Sequence, residues 1–142
     1  MEKIVFLYKQ ASVPNEIIEA AEQKTPRDFE LILCEEKMPS KERREIVSEA
    51  DYLMLYAVGF DDVDVAKRAK LMQILSAGYD RLDVHSLKSA GIPLATNGGA
   101  NAPTVAEHTI LLILALYRKL PLHHTSLKNC LLYTSPSPRD NR

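Results

Sequence analysis

The feature that most restricts this chain is a regular alternation of short apolar, β-favouring runs with amphipathic helical stretches. Ile4 to Tyr8, Phe29 to Cys34, Tyr52 to Val58, Leu71 to Leu75 and Ile92 to Ala95 read as strands. Tyr52 to Val58 is apolar throughout, the pattern of a strand covered on both faces. Between the runs, Pro14 to Gln23 carries Ile17, Ile18 and Ala21 at helical spacing, and Lys41 to Ala50 turns Ile46, Val47 and Ala50 inward. Val63 to Ala69 reads as a weaker, shorter helix. Asp83 to Gly91 is delimited at both ends, by an aspartate suited to capping and a glycine suited to the residue past the last turn. The strands lie too far apart in sequence for hairpins, so right-handed βαβ crossovers must join them.

The expected fold is therefore α/β, a doubly wound parallel sheet of about five strands in a flavodoxin-like order. A long helix follows, from about Ala102 to about Leu120. Two signals compete for its start. Asn101 can cap it with Pro103 in the first turn, or Thr104 can cap it with Glu107 completing a capping box; the reading favours Asn101. At 142 residues with 46% hydrophobic content, one domain's core is within reach. A formal net charge of -1 leaves no basic field for nucleic acid. Two cysteines, Cys34 and Cys130, make no disulfide framework, and Cys34 at the end of an apolar strand reads as a buried structural thiol. The N-terminal run turns polar at Lys9, too soon for a signal peptide. Ile110 to Tyr117 falls short of the ~20 apolar residues a bilayer needs, so it reads as a buried helix of a cytoplasmic protein with no membrane partner.

Residues 130–142 break the pattern. Cys130 to Asp140 has no helix or strand period, contains two prolines, and matches the translated read-through of a transposon-type sequencing adapter. It is expected to be a non-native tail, with the natural sequence running on past Asn129.

The stretch from Gln73 to Arg118 carries the chemistry. It contains Ser76-Ala77-Gly78-Tyr79-Asp80-Arg81-Leu82-Asp83, Gly91-Ile92-Pro93, Asn97-Gly98-Gly99-Ala100-Asn101 and Thr104-Val105-Ala106-Glu107-His108. Gly78 follows the fourth strand, where a glycine lets backbone amides approach a ligand. Val58-Gly59, Ser76 to Gly78 and Asn97 to Asn101 all fall past strand ends, the edge at which open α/β sheets bind ligands. Each residue also has a plainer role: Gly78 as a turn glycine, Asn101 as a helix cap, Thr104 as a first-turn polar residue. Gly98-Gly99 lacks the spacing of a phosphate loop. His108 reads as a packed residue of the long helix and His123-His124 as surface. No histidine spacing supports a metal site.

In order and spacing, these motifs resemble the D-isomer-specific 2-hydroxyacid dehydrogenase family: a small-Gly-x-Asp-x-x-Asp turn, a Gly-Ile-Pro strand start, and an Asn-x-x-Thr-Val-Ala-Glu-His helix start. The resemblance implies hydride transfer between NAD (or NADP) and a D-2-hydroxyacid or 2-keto acid. It implies substrate contacts from Val58, Gly59, Ser76, Ala77, Gly78 and Asn101, and a cofactor contact from Thr104. It implies a homodimer for the full-length protein. Residues 1–100 are then a partial substrate-binding domain, and 101–129 a long interdomain helix and the start of the connection to a Rossmann NAD-binding domain. The family's catalytic arginine, acid and histidine come later in the chain, so no catalytic residue is assigned here. A non-catalytic, NAD-sensing corepressor of the same family is the alternative. Without a C-terminal segment that normally completes the lobe, an apolar edge should be exposed and solubility poor. The purified 142-residue chain is accordingly expected to show no turnover of nicotinamide cofactor at 340 nm with any 2-keto acid; clear turnover would mean the catalytic groups reside in this stretch.

Overall fold

The computed structural model describes residues 1–129. Its contacts divide it into two compact units, the first covering Met1–Ala100 and the second beginning at Asn101.

The first unit is a five-stranded parallel sheet in the order β2-β1-β3-β4-β5. Its strands are β1 (Glu2–Tyr8), β2 (Phe29–Glu35), β3 (Tyr52–Tyr56), β4 (Leu71–Ile74) and β5 (Leu94–Ala95). The helices are α1 (Asn15–Lys24), α2 (Ser40–Ser48) and α3 (Val84–Ser89). This is the doubly wound flavodoxin-like order expected from the alternation of elements. β1 pairs on both sides, Val5 with Ile32 and with Leu53, and Leu7 with Cys34 and with Leu55.

Alternate side chains go to opposite faces. One face builds the main core from Val5, Leu7, Leu53, Leu55, Met72 and Ile74 with Val47 and Leu87 from the helices and Ala50 from the turn after α2. The other face packs Phe6, Tyr8 and Val13 with Ile17, Ile18 and Ala21 of α1. Beside α1 this second face is less covered: an apolar groove of about 550 Å3 runs past Ile4, Ile17, Leu31, Met54 and Leu75. Cys34 is fully buried within 3.8 Å of the Met38 sulfur, and burial pushes its thiol pKa up.

α1 begins after Pro14, with Glu16 in its first turn and Lys24 in its last, both favourable to the helix dipole. Asp83 caps α3 as expected: its carboxylate accepts the His85 and Ser86 amides at 3.0 and 3.1 Å, and Gly91 takes a left-handed φ of 73° just past the helix.

The structure corrects several expectations. Val63 to Ala69 forms turns, not a helix. The Asp62 carbonyl accepts both the Val65 and Ala66 amides, and Ala66 and Ala69 are buried without helical continuation. β3 stops at Tyr56, because Ala57 turns to a positive φ of 58°, so Val58 lies outside the strand. In the second unit, α4 (Ala102–Tyr117) ends before Leu120, and a further helix, α5 (Leu120–Lys128), follows a left-handed Lys119. Pro121, which cannot donate a helical hydrogen bond, sits in the first turn of α5, where that loss is harmless. α4 begins at Ala102 with Asn101 in the capping position, so Thr104 is not the cap. The apolar side chains of α4 are exposed, Ile110 at 57% and Ile113 at 58%, and His108 is exposed with them rather than packed. His123 and His124 are exposed on α5. Among the described residues no helix is long and apolar enough to cross a membrane. The expected non-native tail lies outside the described residues.

At the amino edge of the sheet, the buried Asp51 carboxylate accepts the Lys3 backbone amide at 2.9 Å and Arg68 at 3.1 Å. The Lys3 amide bond, with Arg68 beside it, holds this carboxyl below its usual range against the opposing effect of burial. A lowered folded value means that the stabilisation is present above the ordinary aspartate pKa of about 3.9 and is lost as pH falls through the folded value. Thermal melts should therefore be level from neutral pH to about 5 and fall below about 4, and Asp51→Asn should flatten that acid limb; an unchanged limb removes Asp51 from the account. Leu53→Ala, in the centre of the main core, should cost about 2–5 kcal/mol in urea unfolding.

Candidate functional site

Parallel pairing sends every strand's carboxyl end to the same edge of the sheet. β3 and β4 are neighbours there, with Leu55 opposite Ile74, so the loops that leave them start at the same height. Between these loops lies a cavity of about 300 Å3, lined by Ala57, Val58, Ser76, Gly78, Tyr79 and Arg81 among others.

The first loop is held from below and from the side. Val58 and Phe60 are 8% and 4% exposed, so the chain after β3 dives back into the core at alternate residues. Asp62 is buried and meets Arg43 at 2.7 Å and Arg44 at 3.2 Å, which ties the loop to α2. Arg44 also grips Asp64, by two hydrogen bonds. The Asp62 bond raises the Arg43 pKa. Gly59 lines a smaller neighbouring pocket with Arg43 and Asp62, and a Cβ on it would stand 3.4 Å from the Arg81 carbonyl.

The second loop is shaped by its own side chains. Ser76 Oγ donates to the Gly78 carbonyl at 2.9 Å, and the Asn97 amide donates to the Ser76 carbonyl at 3.0 Å, joining the loop after β5 to the one after β4. A Cβ on Gly78 would meet the Asp80 carboxylate at 3.2 Å, closer than nearly all real contacts. Leu82 is buried and its amide closes a turn on Tyr79, so the loop is pinned where it enters α3. Arg81 then crosses to the first loop, its guanidinium donating to the Ala57 carbonyl at 2.9 Å.

Among the described residues, the backbone N–H groups of Val58, Gly59, Ala77 and Gly78 donate to no backbone carbonyl outside the regular elements, and none lies in a strand. Uncommitted amides at a strand-end edge suit an anionic oxygen ligand such as a carboxylate. Val58, Ser76 and Gly78 line the same cavity; Ala77 lies between two of them, and Gly59 faces the adjoining pocket. Asn101 and Thr104 belong to the second unit, in the cap position and first turn of α4, both exposed. The Asn101 side chain makes no capping hydrogen bond, so its amide is not consumed by the helix. No group of three or more potential metal ligands is assembled among the described residues.

Arg81 and the Arg43–Asp62 pair are what a reading of the sequence overlooks. Arg81 occupies an unconstrained position of the small-Gly-x-Asp-x-x-Asp turn. Arg43 reads as one charge of a solvated helix face. Only the fold brings them to these loops.

Known proteins share both sequence and architecture with the chain. The family model for the catalytic domain of D-isomer-specific 2-hydroxyacid dehydrogenases matches residues 5–137. A hydroxypyruvate reductase of Thermotoga maritima is 32% identical over 102 residues, 70% of this chain and 33% of that protein. A D-3-phosphoglycerate dehydrogenase of Archaeoglobus fulgidus is 33% identical over 66 residues, 46% of this chain and 12% of that protein. The chain thus spans about a third or less of the curated relatives it matches. A D-lactate dehydrogenase from Aquifex aeolicus, solved with NAD and lactic acid, superposes with a TM-score of 0.71 at 23% identity over 94% of this chain and 39% of that one, which shows a common fold. With its sheet order, its strand-end loops and a family match over nearly its whole length, the chain belongs to the D-isomer-specific 2-hydroxyacid dehydrogenase family.

Proposed function

We propose that this chain supplies the substrate-binding lobe of an NAD- or NADP-dependent dehydrogenase that interconverts a D-2-hydroxyacid and its 2-keto acid. The observation that carries the reading is the set of uncommitted amides at Val58, Gly59, Ala77 and Gly78 on the two loops that flank one strand-end cavity, Val58 and Gly78 lining it. A carboxylate has acceptor lone pairs enough for several such donors, and charge-assisted hydrogen bonds of this kind are shorter and stronger than neutral ones. Held by its carboxylate, the substrate presents its C2 carbon at a fixed distance from the loops, which is the orientation that hydride transfer requires.

In this reading Ser76 shapes the loop through its bond to Gly78. Asn101 adds a side-chain hydrogen bond to the substrate, and Thr104 lies against the nicotinamide end of the cofactor. The cofactor supplies the hydride. Apart from Thr104, no residue of this chain is assigned to the cofactor: Gly98-Gly99 has the wrong spacing for a dinucleotide loop. The acid–base group, the substrate-orienting arginine and most of the dinucleotide contacts belong to other parts of the full-length protein. Its place is the cytoplasm and its form a homodimer. The exposed apolar side chains of α4, Ile110, Leu112, Ile113 and Leu116 among them, support the second point, since contiguous exposed apolar side chains mark interfaces.

Titrating glyoxylate into 15N-labelled protein tests the site. Saturable shifts should concentrate on the Val58, Gly59, Ala77 and Gly78 amides, with a dissociation constant on the order of 1–10 mM for so small a ligand. Shifts that never saturate, or that fall on other loops, would remove the carboxylate from this cavity.

A further inference from the structure

We propose that Arg81 is a positioning residue, whose guanidinium latches the Ala57–Val58 peptide and thereby sets the donor geometry of the loop after β3. The inference rests on the carboxylate reading above and extends it to a residue outside the proposed ligand contacts.

Three observations converge. Ala57 ends β3 in a left-handed conformation, φ 58°, which a residue with a Cβ adopts only against steric resistance. Arg81 donates to the carbonyl of that same residue at 2.9 Å. Its own carbonyl stands 3.4 Å from where a Gly59 Cβ would be, so Arg81 brackets residues 57–59 from both directions. The base from which it reaches is firm, because Leu82 is buried and hydrogen-bonded to Tyr79 and Asp83 caps α3.

The consequence follows from peptide geometry. The Ala57 carbonyl and the Val58 N–H belong to one planar trans peptide and point in opposite directions. Fixing the carbonyl fixes the direction of the N–H, which belongs to a residue lining the cavity. A charged donor on the carbonyl also polarises the peptide and makes that N–H a stronger donor. The segment from Ala57 to Lys70 has no regular secondary structure to impose this orientation by itself.

Arg81→Met keeps the aliphatic length and removes the latch. 15N relaxation on the ligand-free 142-residue chain should show the Val58 and Gly59 amide order parameters falling from the rigid range of about 0.85 to below about 0.6 in the variant, while the strands and the melting temperature stay unchanged. Glyoxylate affinity should fall about tenfold. That gap should persist at 1 M salt, where an action of the guanidinium through space is screened within about 3 Å. Unchanged order parameters at Val58 and Gly59 overturn the proposal, whatever happens to the ligand. An affinity gap that closes at high salt also overturns it, making Arg81 a mere surface charge. Lowered order parameters in a chain whose wild type binds no glyoxylate uphold the latch and overturn the carboxylate reading instead.

Discussion

Parallel pairing through β1 is the constraint on which the rest depends. β1 is bonded on both edges, and its Val5 and Phe6 are wholly buried on opposite faces of the sheet. Both faces are apolar, so a one-residue slip would keep the burial but force Phe6 into the space packed around Val5, an overpacking that costs roughly 1–3 kcal/mol at each such site. With the register held, Leu7, Leu55 and Ile74 lie in one row across β1, β3 and β4. The loops beyond them must then emerge side by side. The cavity is a consequence of strand register before it is a consequence of any loop sequence.

What the register does not supply is the shape of the loops, and here interactions of different kinds divide the work. Burial of Val58 and Phe60 draws the first loop inward. The Asp62 carboxylate, deep enough to need partners, finds them in Arg43 and Arg44 of α2. Ser76 folds the second loop on itself, and Asn97 joins the third to it. None of these bonds uses the amides of Val58, Gly59, Ala77 or Gly78. A loop whose side chains and carbonyls are committed while its N–H groups are not is built to receive an acceptor.

The strands were legible as short β-favouring apolar runs bounded by polar residues, and α1 and α2 by apolar residues at helical spacing. Asp83 and Gly91 were legible as helix ends because each has a local chemical reason to be there. Val63 to Ala69 misled for an instructive reason. Val63, Ala66 and Ala69 are spaced as on a helix, yet the segment buries Ala66 and Ala69 through turns around the Asp62 carbonyl. Spacing reports which residues go inward and not the backbone that takes them there. The end of α4 was missed because apolar residues resume at Leu120 after Arg118 and Lys119, whereas the break depends on Lys119 turning left-handed ahead of Pro121. Of the candidate site, the glycines and the serine could be seen as loop residues after strands, but Arg81 could not, since its partner lies 24 positions away in the sequence.

The sequence alone determined the order of the five strands, the helices α1, α2 and α3 between them, the cap of α3 and the family to which the motifs belong. These are properties of local periodicity and short-range chemistry, which need no knowledge of distant neighbours. Only the tertiary structure decided that Ala57 turns left-handed under Arg81, that Asp62 is buried between two arginines, and that the amides of two loops are left uncommitted at one cavity. Each of these joins residues far apart along the chain, and their energies exist only once the sheet has brought the strand ends together.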